Sequence, residues 1–589
     1  MNTSISFPRR GFLKGTAALV GAFKIPASVF GSATKRKLLD QEYDVIVVGS
    51  GAAGMTAALK AHHSGLKTIV LEKSQYFGGS TARSGGGIWI RNNIVNQKAG
   101  IQDSEEEALA YLAQVAGNGS SFEKQKAYIE KGPQMISFVM DHSPLRFRPM
   151  PGYADYYPEY YGGKAEGASI EPEVIDGGVL GSSLKELNPP YIPTPTGVVI
   201  YGGDYKWLTL VLVTLKGAAT AAKTVSRWAR TKLRMKKPLT MGQALAAGLR
   251  AGLLEAKVPV ALNSGIKDLS MDEQGRVNGV FVDSPEGLRL VRAKKAVIMG
   301  SGGFEKNLEM RRKYQKAPIG VDWTLGTDGN TGEGIQMAYD LGANLKLMDD
   351  AWWGPTIPLE EGQPYFCLSE RSLPRSIIVN NEGERFVNES APYHDVVNEM
   401  YKQPTLDGEL PIWMITDQKY RNSYLLRDLP PLQSIPQAWF DSGAVVKANS
   451  IEELALAVGL PAENLQATVT RFNGYAKDGV DLDFQRGESA YDRYYADPNY
   501  KPNPSLGPIS QGPFYAFKVV PGDLGTKGGL ETDERSRVLR EDGSVIEGLY
   551  AAGNVSSPVM GRSYAGAGST LGPAMAFGYI AAEDIAKKS

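Results

Sequence analysis

Cysteine is nearly absent: Cys367 stands alone in 589 residues. A single thiol excludes an intrachain disulfide, a thiolate zinc site, an iron–sulfur cluster and the C-x-x-C-H attachment of c-type haem, and no metal site is expected. Net charge is absent as well, with 64 basic against 64 acidic side chains. The chain therefore lacks the basic footprint that nucleic acid requires, and no nucleic-acid partner is expected. Histidine is scarce: His62 and His63 fall within an expected helix, His142 follows another, and His394 adjoins Tyr393. The 42% of hydrophobic residues suit a folded protein, and its length suits about two large domains.

The clearest pattern is Tyr43-Asp-Val-Ile-Val-Val-Gly49-Ser-Gly51-Ala52-Ala53-Gly54. It reads as a buried strand, a glycine turn and a helix over about residues 52–64. Gly49 and Gly51 make the tight turn and leave backbone room for a pyrophosphate, while Gly54 lets the helix pack close to the strand. The helix N-terminus turns amide dipoles toward the phosphates. A second strand over residues 68–71 ends in Glu72, an acceptor for a ribose hydroxyl, followed by Lys73. Strand, glycines, helix, strand and acid in this order indicate a Rossmann-like dinucleotide site, so electrons pass through an organic cofactor. The glycine-dense residues 77–89, with Gly79, Ser80, Thr81, Ser84, Gly85 and Gly86, bring backbone amides toward a flat ring system. Residues 296–299 return the chain to the sheet ahead of Gly302. A glycine-rich tail with Gly553, Asn554, Gly568, Thr570 and Leu571 precedes a final helix.

Other stretches are different in kind. Residues 1–36 carry Arg9-Arg10, then Phe12-Leu13-Lys14, a mildly apolar stretch too short to span a bilayer, and small residues. This reads as a twin-arginine export signal, so a periplasmic or otherwise exported location is expected, with membrane association as a further option. From Asp103 to Met140 the pattern is helical. Between Tyr205 and Leu254 no acidic residue occurs, while Lys216, Lys223, Arg227, Arg230, Lys232, Arg234, Lys236 and Lys237 accumulate after the apolar residues 207–215. This run reads as a solvated helical face beside a buried one, with contact to an anionic membrane surface as the alternative.

Two glycine-rich ends flanking an inserted middle resemble flavoproteins built like the fumarate reductase flavin subunit. The resemblance implies an α/β fold, in which residues 40–350 and 525–589 form a Rossmann-like FAD-binding domain and residues 351–524 an inserted α+β catalytic, capping domain. Ser80 and Thr81 stand where covalently flavinylated relatives carry a histidine, which implies noncovalent FAD. Several runs narrow the match: Phe77-Gly-Gly-Ser-Thr81, Ser84-Gly-Gly-Gly-Ile-Trp89, Pro151-Gly-Tyr-Ala-Asp-Tyr-Tyr-Pro158, Ala351-Trp-Trp-Gly-Pro355, and residues 386–393, 521–529 and 564–573. From about Tyr43 to its end the chain is similar to 3-ketosteroid Δ1-dehydrogenases, which remove hydrogens from carbons 1 and 2 of a 3-keto steroid A ring.

That resemblance implies roles. The Tyr564 hydroxyl and the Gly568 backbone N–H bind the 3-keto oxygen, Tyr393 takes the proton from carbon 2, and Tyr156 hydrogen-bonds to Tyr393, with Tyr153 and Tyr157 as competitors for that place. Hydride from carbon 1 goes to the flavin N5, and an external acceptor such as a quinone takes the electrons on. One oxyanion donor is worth about two to three powers of ten in rate. A phenol, with its reference pKa of about 10, is a poor base at neutral pH, so its surroundings must stabilise phenolate or pass the proton onward. Three alternatives stay open: a 3-ketosteroid 4,5-dehydrogenase, a fumarate-type reductase with Arg371, Arg375 and Arg385 as dicarboxylate clamps, and a non-catalytic flavin-binding protein.

Overall fold

The apolar run Val45–Val48 must be covered on both faces, and its strand, Tyr43–Val48, lies inside a mostly parallel sheet. It pairs with Thr68–Leu71 on one side and Gly287–Met299 on the other. Val260–Ala261 and Val545–Ala551 extend the sheet in parallel, and Arg537–Leu539 adds an antiparallel edge. The computed structural model describes residues 38–191, 198–234, 237–284, 287–360 and 363–588; the expected export signal and Lys236 lie outside them.

The first helix, Ala52–His63, packs against the last, Leu571–Lys587. A small residue permits the approach, since a Cβ on Gly578 would overlap the Ala53 carbonyl; on the other side of the first helix, a Cβ on Gly54 would overlap the carbonyl of Gly49 in the turn after the first strand.

The insertion forms a second, antiparallel sheet in the order Gln363–Phe366, Ala351–Glu360, Phe514–Thr526, Ile412–Asp417 and Ser376–Val379. Its side chains alternate between two buried clusters, as period-two geometry requires. Ile378, Met414 and Phe517 join one cluster; Ile377, Ile415 and Ala516 join the other. Ala351 pairs with Thr526, so the chain leaves and re-enters the insertion at neighbouring points. Helix Tyr393–Met400 packs on strand Ala351–Glu360.

Two segments gain detail beyond the sequence reading. The helical pattern over residues 103–140 resolves into two helices, Glu105–Ala116 and Phe122–Asp141, each opened by a serine whose hydroxyl accepts an N–H three residues on. They part at Gly117–Gly119, where Gly119 lies so close to Gly561 that a Cβ would collide with its backbone. The basic run forms helices Gly202–Thr209 and Leu215–Arg234, and the second has its faces reversed. Gly217, Thr220 and Thr224 are buried, whereas Leu215, Val225 and Leu233 are 92%, 63% and 87% exposed. The buried threonines bond back to their own helix, Thr220 to the Lys216 carbonyl at 2.7 Å and Thr224 to the Thr220 carbonyl at 2.9 Å. Among the described residues no helix is long and apolar enough to cross a membrane.

Candidate active site

One cavity of about 520 Å³ is lined both by the glycine turn after the first strand and by tyrosines from three distant segments. Every cofactor residue named from the sequence lines it except Gly54, whose place is behind the wall at the helix–strand contact.

The turn is built for a close backbone approach. Gly49 has φ 101°, and a Cβ there would overlap the Gly300 carbonyl. The N-cap of the first helix, Gly51, brings no side-chain acceptor, which leaves the amide end open toward the cavity. Ala52 N–H donates to Thr81 Oγ1 at 3.0 Å, tying the turn to the second glycine-rich loop. Glu72 is held on three sides: Oε2 accepts from Ser50 N–H at 3.0 Å and Ser50 Oγ at 2.6 Å, and Oε1 accepts from Ser74 N–H at 2.9 Å. A carboxylate has about four acceptor sites, so one stays open for a ribose hydroxyl. Lys73 Nζ bonds Thr331 Oγ1 at 2.6 Å and Glu333 Oε1 at 2.7 Å on the cavity wall.

Ser80 Oγ accepts from Thr327 N–H and Asn330 Nδ2, both at 3.1 Å. Asn554 Oδ1 accepts from Trp352 Nε1 at 3.1 Å, and the Trp352 ring stands edge-on to Tyr564. Ser84, Gly85, Gly86, Gly302, Gly553, Thr570 and Leu571 complete the wall. A glycine cradle, an open helix end and a ribose-facing acid fit FAD. Ser50, Thr327 and Asn330 were not singled out in the sequence. Ser50, placed between the two turn glycines, carried a local signal; the other two sit in no motif.

The phenols converge. Tyr156 O–H donates to Tyr393 Oη at 2.8 Å. Ring centroids lie 5.3 Å apart for Tyr156 and Tyr393, 5.1 Å for Tyr156 and Tyr564, and 5.2 Å for Tyr393 and Tyr564. Of the competitors for the Tyr156 place, Tyr153 accepts from Tyr495 and Tyr157 donates to Asp395, each at 3.0 Å.

Tyr393 opens its helix directly after Pro392. The Tyr564 loop is fastened by Tyr156 N–H and Tyr111 O–H, which donate to the Ala565 carbonyl at 3.0 and 2.6 Å. Gly568 has φ 96°, and a Cβ there would overlap Gly87. Its carbonyl accepts from Trp89 and Gly572 N–H, at 3.2 and 2.9 Å; its own N–H has no acceptor among the described residues and borders the cavity.

Burial raises the Tyr393 phenol well above its ordinary value, and the neighbouring phenols Tyr564, Tyr153 and Tyr491 add to this; the Tyr156 hydrogen bond opposes it. Tyr156 and Tyr564 are likewise raised by burial. His394 lies outside the cavity lining and donates from Nε2 to the Arg562 carbonyl at 2.6 Å. Burial and the Lys527 charge lower it to about 3, so the ring is neutral and orients the Tyr564 loop.

The three arginines that kept a dicarboxylate reading open are spent elsewhere. Arg371 donates to the Cys367, Glu389 and Ala391 carbonyls, Arg375 to Asp417 and the Pro508 carbonyl, and Arg385 to Glu389 and Asp481. None lines the cavity, whose cations among the described residues are Lys73 and Arg83.

Fold and cradle define an FAD-dependent flavoprotein: the chain belongs to the FAD binding domain family, whose sequence model matches residues 44–571. Within that class it stands with the 3-oxosteroid 1-dehydrogenases. It is 54% identical over 556 residues to the 3-oxosteroid 1-dehydrogenase of Mycolicibacterium smegmatis, covering 93% of this chain and 97% of that protein. Identity is 35% over 560 residues with the 4-oxocyclohexanecarboxylate 2-dehydrogenase of Sinomonas cyclohexanicum, covering 92% and 93%. The crystal structure of the 3-ketosteroid Δ1-dehydrogenase from Sterolibacterium denitrificans, in complex with 1,4-androstadiene-3,17-dione, superposes with a TM-score of 0.88 at 39% identity, covering 93% of this chain and all of that one.

Proposed function

We propose that the protein introduces the 1,2 double bond into 3-ketosteroids. The observation that carries this reading is the Tyr156–Tyr393 hydrogen bond, with Tyr564 packed against both rings, in the cavity that also holds the dinucleotide cradle. The names of the relatives support the same chemistry. Met150, Tyr153, Phe366, Leu368 and Leu524 on the wall suit a flat, apolar ring system.

The Tyr564 hydroxyl and the Gly568 N–H donate to the 3-keto oxygen. Their pull acidifies carbon 2, whose proton passes to the Tyr393 oxygen as negative charge develops on the ketone oxygen. Tyr156 donates to Tyr393 and so favours its ionised, proton-accepting form. FAD, bound noncovalently, supplies the acceptor for the hydride leaving carbon 1. Loss of one proton and one hydride balances the new double bond. The phenol's raised pKa sets the direction of the pH dependence: activity climbs with pH through the neutral range.

The test is anaerobic mixing of the yellow holoprotein with androst-4-ene-3,17-dione. Bleaching of the flavin band is expected in the wild type and absent in Tyr393→Phe, with FAD still bound. A 4,5-unsaturated product from a saturated 3-ketone, or undiminished bleaching in Tyr393→Phe, overturns the reading.

Two extensions belong to the same proposal. The protein is exported through its first 36 residues and passes its electrons to a quinone-type acceptor. Helix Leu215–Arg234 rests on an anionic bilayer: its exposed apolar stripe is flanked by Lys216, Lys223, Arg230 and Lys232, and Gly202 and Tyr205 of the preceding helix line the cavity. Flotation with phosphatidylglycerol vesicles, lost in Leu215→Asp/Leu233→Asp and in high salt, checks the contact; equal flotation of that variant refutes it.

A further inference from the structure

Each phenol of the site has a polar neighbour in sequence that does not line the cavity. Tyr157 follows Tyr156, Asp395 lies just past Tyr393 in the first turn of its helix, and Ser563 precedes Tyr564. These three side chains nevertheless meet. Tyr157 O–H donates to Asp395 Oδ1 at 3.0 Å, and Ser563 Oγ donates to Tyr157 Oη at 3.0 Å. The site thus has two layers built from the same three segments, an inner one of phenols and an outer hydrogen-bonded chain.

The outer chain spans a junction. Tyr393 stands on a helix packed against the cap sheet, whereas Tyr564 lies in the glycine-rich tail that returns to the FAD cradle. The oxygen that removes the proton and one donor that stabilises the resulting charge therefore come from different parts of the fold. We propose that Tyr157, Asp395 and Ser563 are positioning residues that fix the separation of Tyr393 from Tyr564.

Several features favour positioning over a direct chemical role. None of the three borders the cavity, so none touches substrate. Asp395 sits where a carboxylate is charge-assisted as an acceptor, and the Tyr157 bond favours its ionised form, as do the Lys527 and Arg371 charges; burial still raises it to about 6. Tyr157 is anchored at its other end as well, since its N–H donates to Tyr111 Oη at 3.3 Å. Lys527 Nζ donates to the Ser563 carbonyl at 3.2 Å, which holds the third member from behind. A displacement of about 1 Å between reacting groups costs on the order of 100-fold in rate, so a chain of well-formed bonds across a junction has a direct kinetic consequence.

The inference rests on the desaturase reading, and the experiment separates the two. Tyr157→Phe keeps the ring and deletes the hydroxyl, and Ser563→Ala breaks the chain at its other end. Both are assayed in the holoprotein with androst-4-ene-3,17-dione and its carbon-2 deuterated form. We expect kcat to fall about 10- to 100-fold in Tyr157→Phe and less in Ser563→Ala. KM and FAD content stay near wild type, and the carbon-2 isotope effect on kcat rises, because the proton step becomes slower. Asp395→Asn keeps an acceptor for Tyr157 and recovers most of what Asp395→Ala loses. Wild-type kcat in both Tyr157→Phe and Ser563→Ala overturns the positioning role, as do losses confined to KM or FAD content with an unchanged isotope effect. If Tyr157→Phe does not fold, Ser563→Ala decides alone. Retained activity in Tyr393→Phe overturns the desaturase reading; an inactive Tyr393→Phe places any failure of the outer-layer variants on the positioning inference.

Discussion

Tyr156→Phe isolates the one hydrogen bond that Tyr393 accepts from another phenol. The substitution keeps the ring, which stacks on Tyr564 at a centroid distance of 5.1 Å, and removes the donor 2.8 Å from Tyr393 Oη. A hydrogen bond to an ionised group contributes about 1.5–3 kcal/mol, and one pKa unit corresponds to about 1.4 kcal/mol. Losing the bond therefore raises the Tyr393 phenol further and thins its ionised form about 10- to 100-fold. Burial already holds that phenol well above its ordinary value, so only a small ionised fraction is present near neutral pH. Throughout the range below the pKa, the rate of a reaction that needs phenolate climbs close to tenfold per pH unit. The expected result is two parallel lines of log kcat/KM against pH, with Tyr156→Phe displaced to higher pH and slower by about 10- to 100-fold at any one pH. FAD absorbance, measured in parallel, controls for loss of cofactor. Superimposed profiles, or a gap that widens with pH, refute the assignment of Tyr156 as the group that stabilises ionised Tyr393.

Tyr564→Phe removes an oxyanion donor and lowers kcat by about 100- to 1,000-fold, with a smaller change in KM, by steady-state assay. Gly49→Ala forces a left-handed backbone onto a residue whose Cβ overlaps the Gly300 carbonyl, so the purified protein is expected to be colourless. Arg385→Ala takes the ion pair from the buried Asp481 and leaves Glu389 with Arg486 alone, and destabilises the protein by about 3 kcal/mol in urea unfolding at neutral pH. Arg385 holds both acids below their ordinary values. Their contribution is therefore complete above the unfolded-state pKa of about 4 and is lost as pH falls through the lower folded values, so the wild-type advantage shrinks in acid.

The parts of the fold that were legible in the sequence are those whose cause is local. Gly49, Gly51, Gly54 and Glu72 lie within one strand–turn–helix–strand unit, where spacing alone dictates which backbone approaches a phosphate and which acid ends the strand. Composition also changes near residues 350 and 522, and strands 351–360 and 514–526 pair there. The tyrosines were a different matter: among 28, periodicity singles out none, and only the resemblance of surrounding motifs pointed to Tyr156, Tyr393 and Tyr564. Asn330 and Thr327 reach Ser80 from some 250 residues away, a proximity set by topology rather than by any local pattern. Helix Leu215–Arg234 marks a sharper limit. Its sequence fixes that one face is apolar and the other small and polar, but which face turns inward depends on what the neighbouring chain offers. Here a tight approach at Gly217 and self-bonded threonines won the interior.

The electrostatics of the tyrosine cluster bear on which substrates it accepts. A ketone is neutral when it binds and becomes an anion at oxygen only as its neighbouring proton leaves. A lysine or arginine at that oxygen would need desolvation throughout, whereas a phenol and an amide are buried at lower cost and strengthen their bonds when the charge appears. Of the cavity's cations among the described residues, Lys73 bonds Thr331 and pairs with Glu333, while the Arg83 guanidinium lies over the Tyr191 ring with its Nε unpartnered. A permanently charged dicarboxylate would have to give up its hydration on entering here, a penalty of several kcal/mol that only an ion pair could offset. A neutral polycyclic ketone instead gains about 25 cal/mol for each Å² of apolar surface it buries. Donors that are themselves neutral, a phenol and an amide, thus suit a substrate that is neutral when it binds and acquires its charge only as the proton leaves.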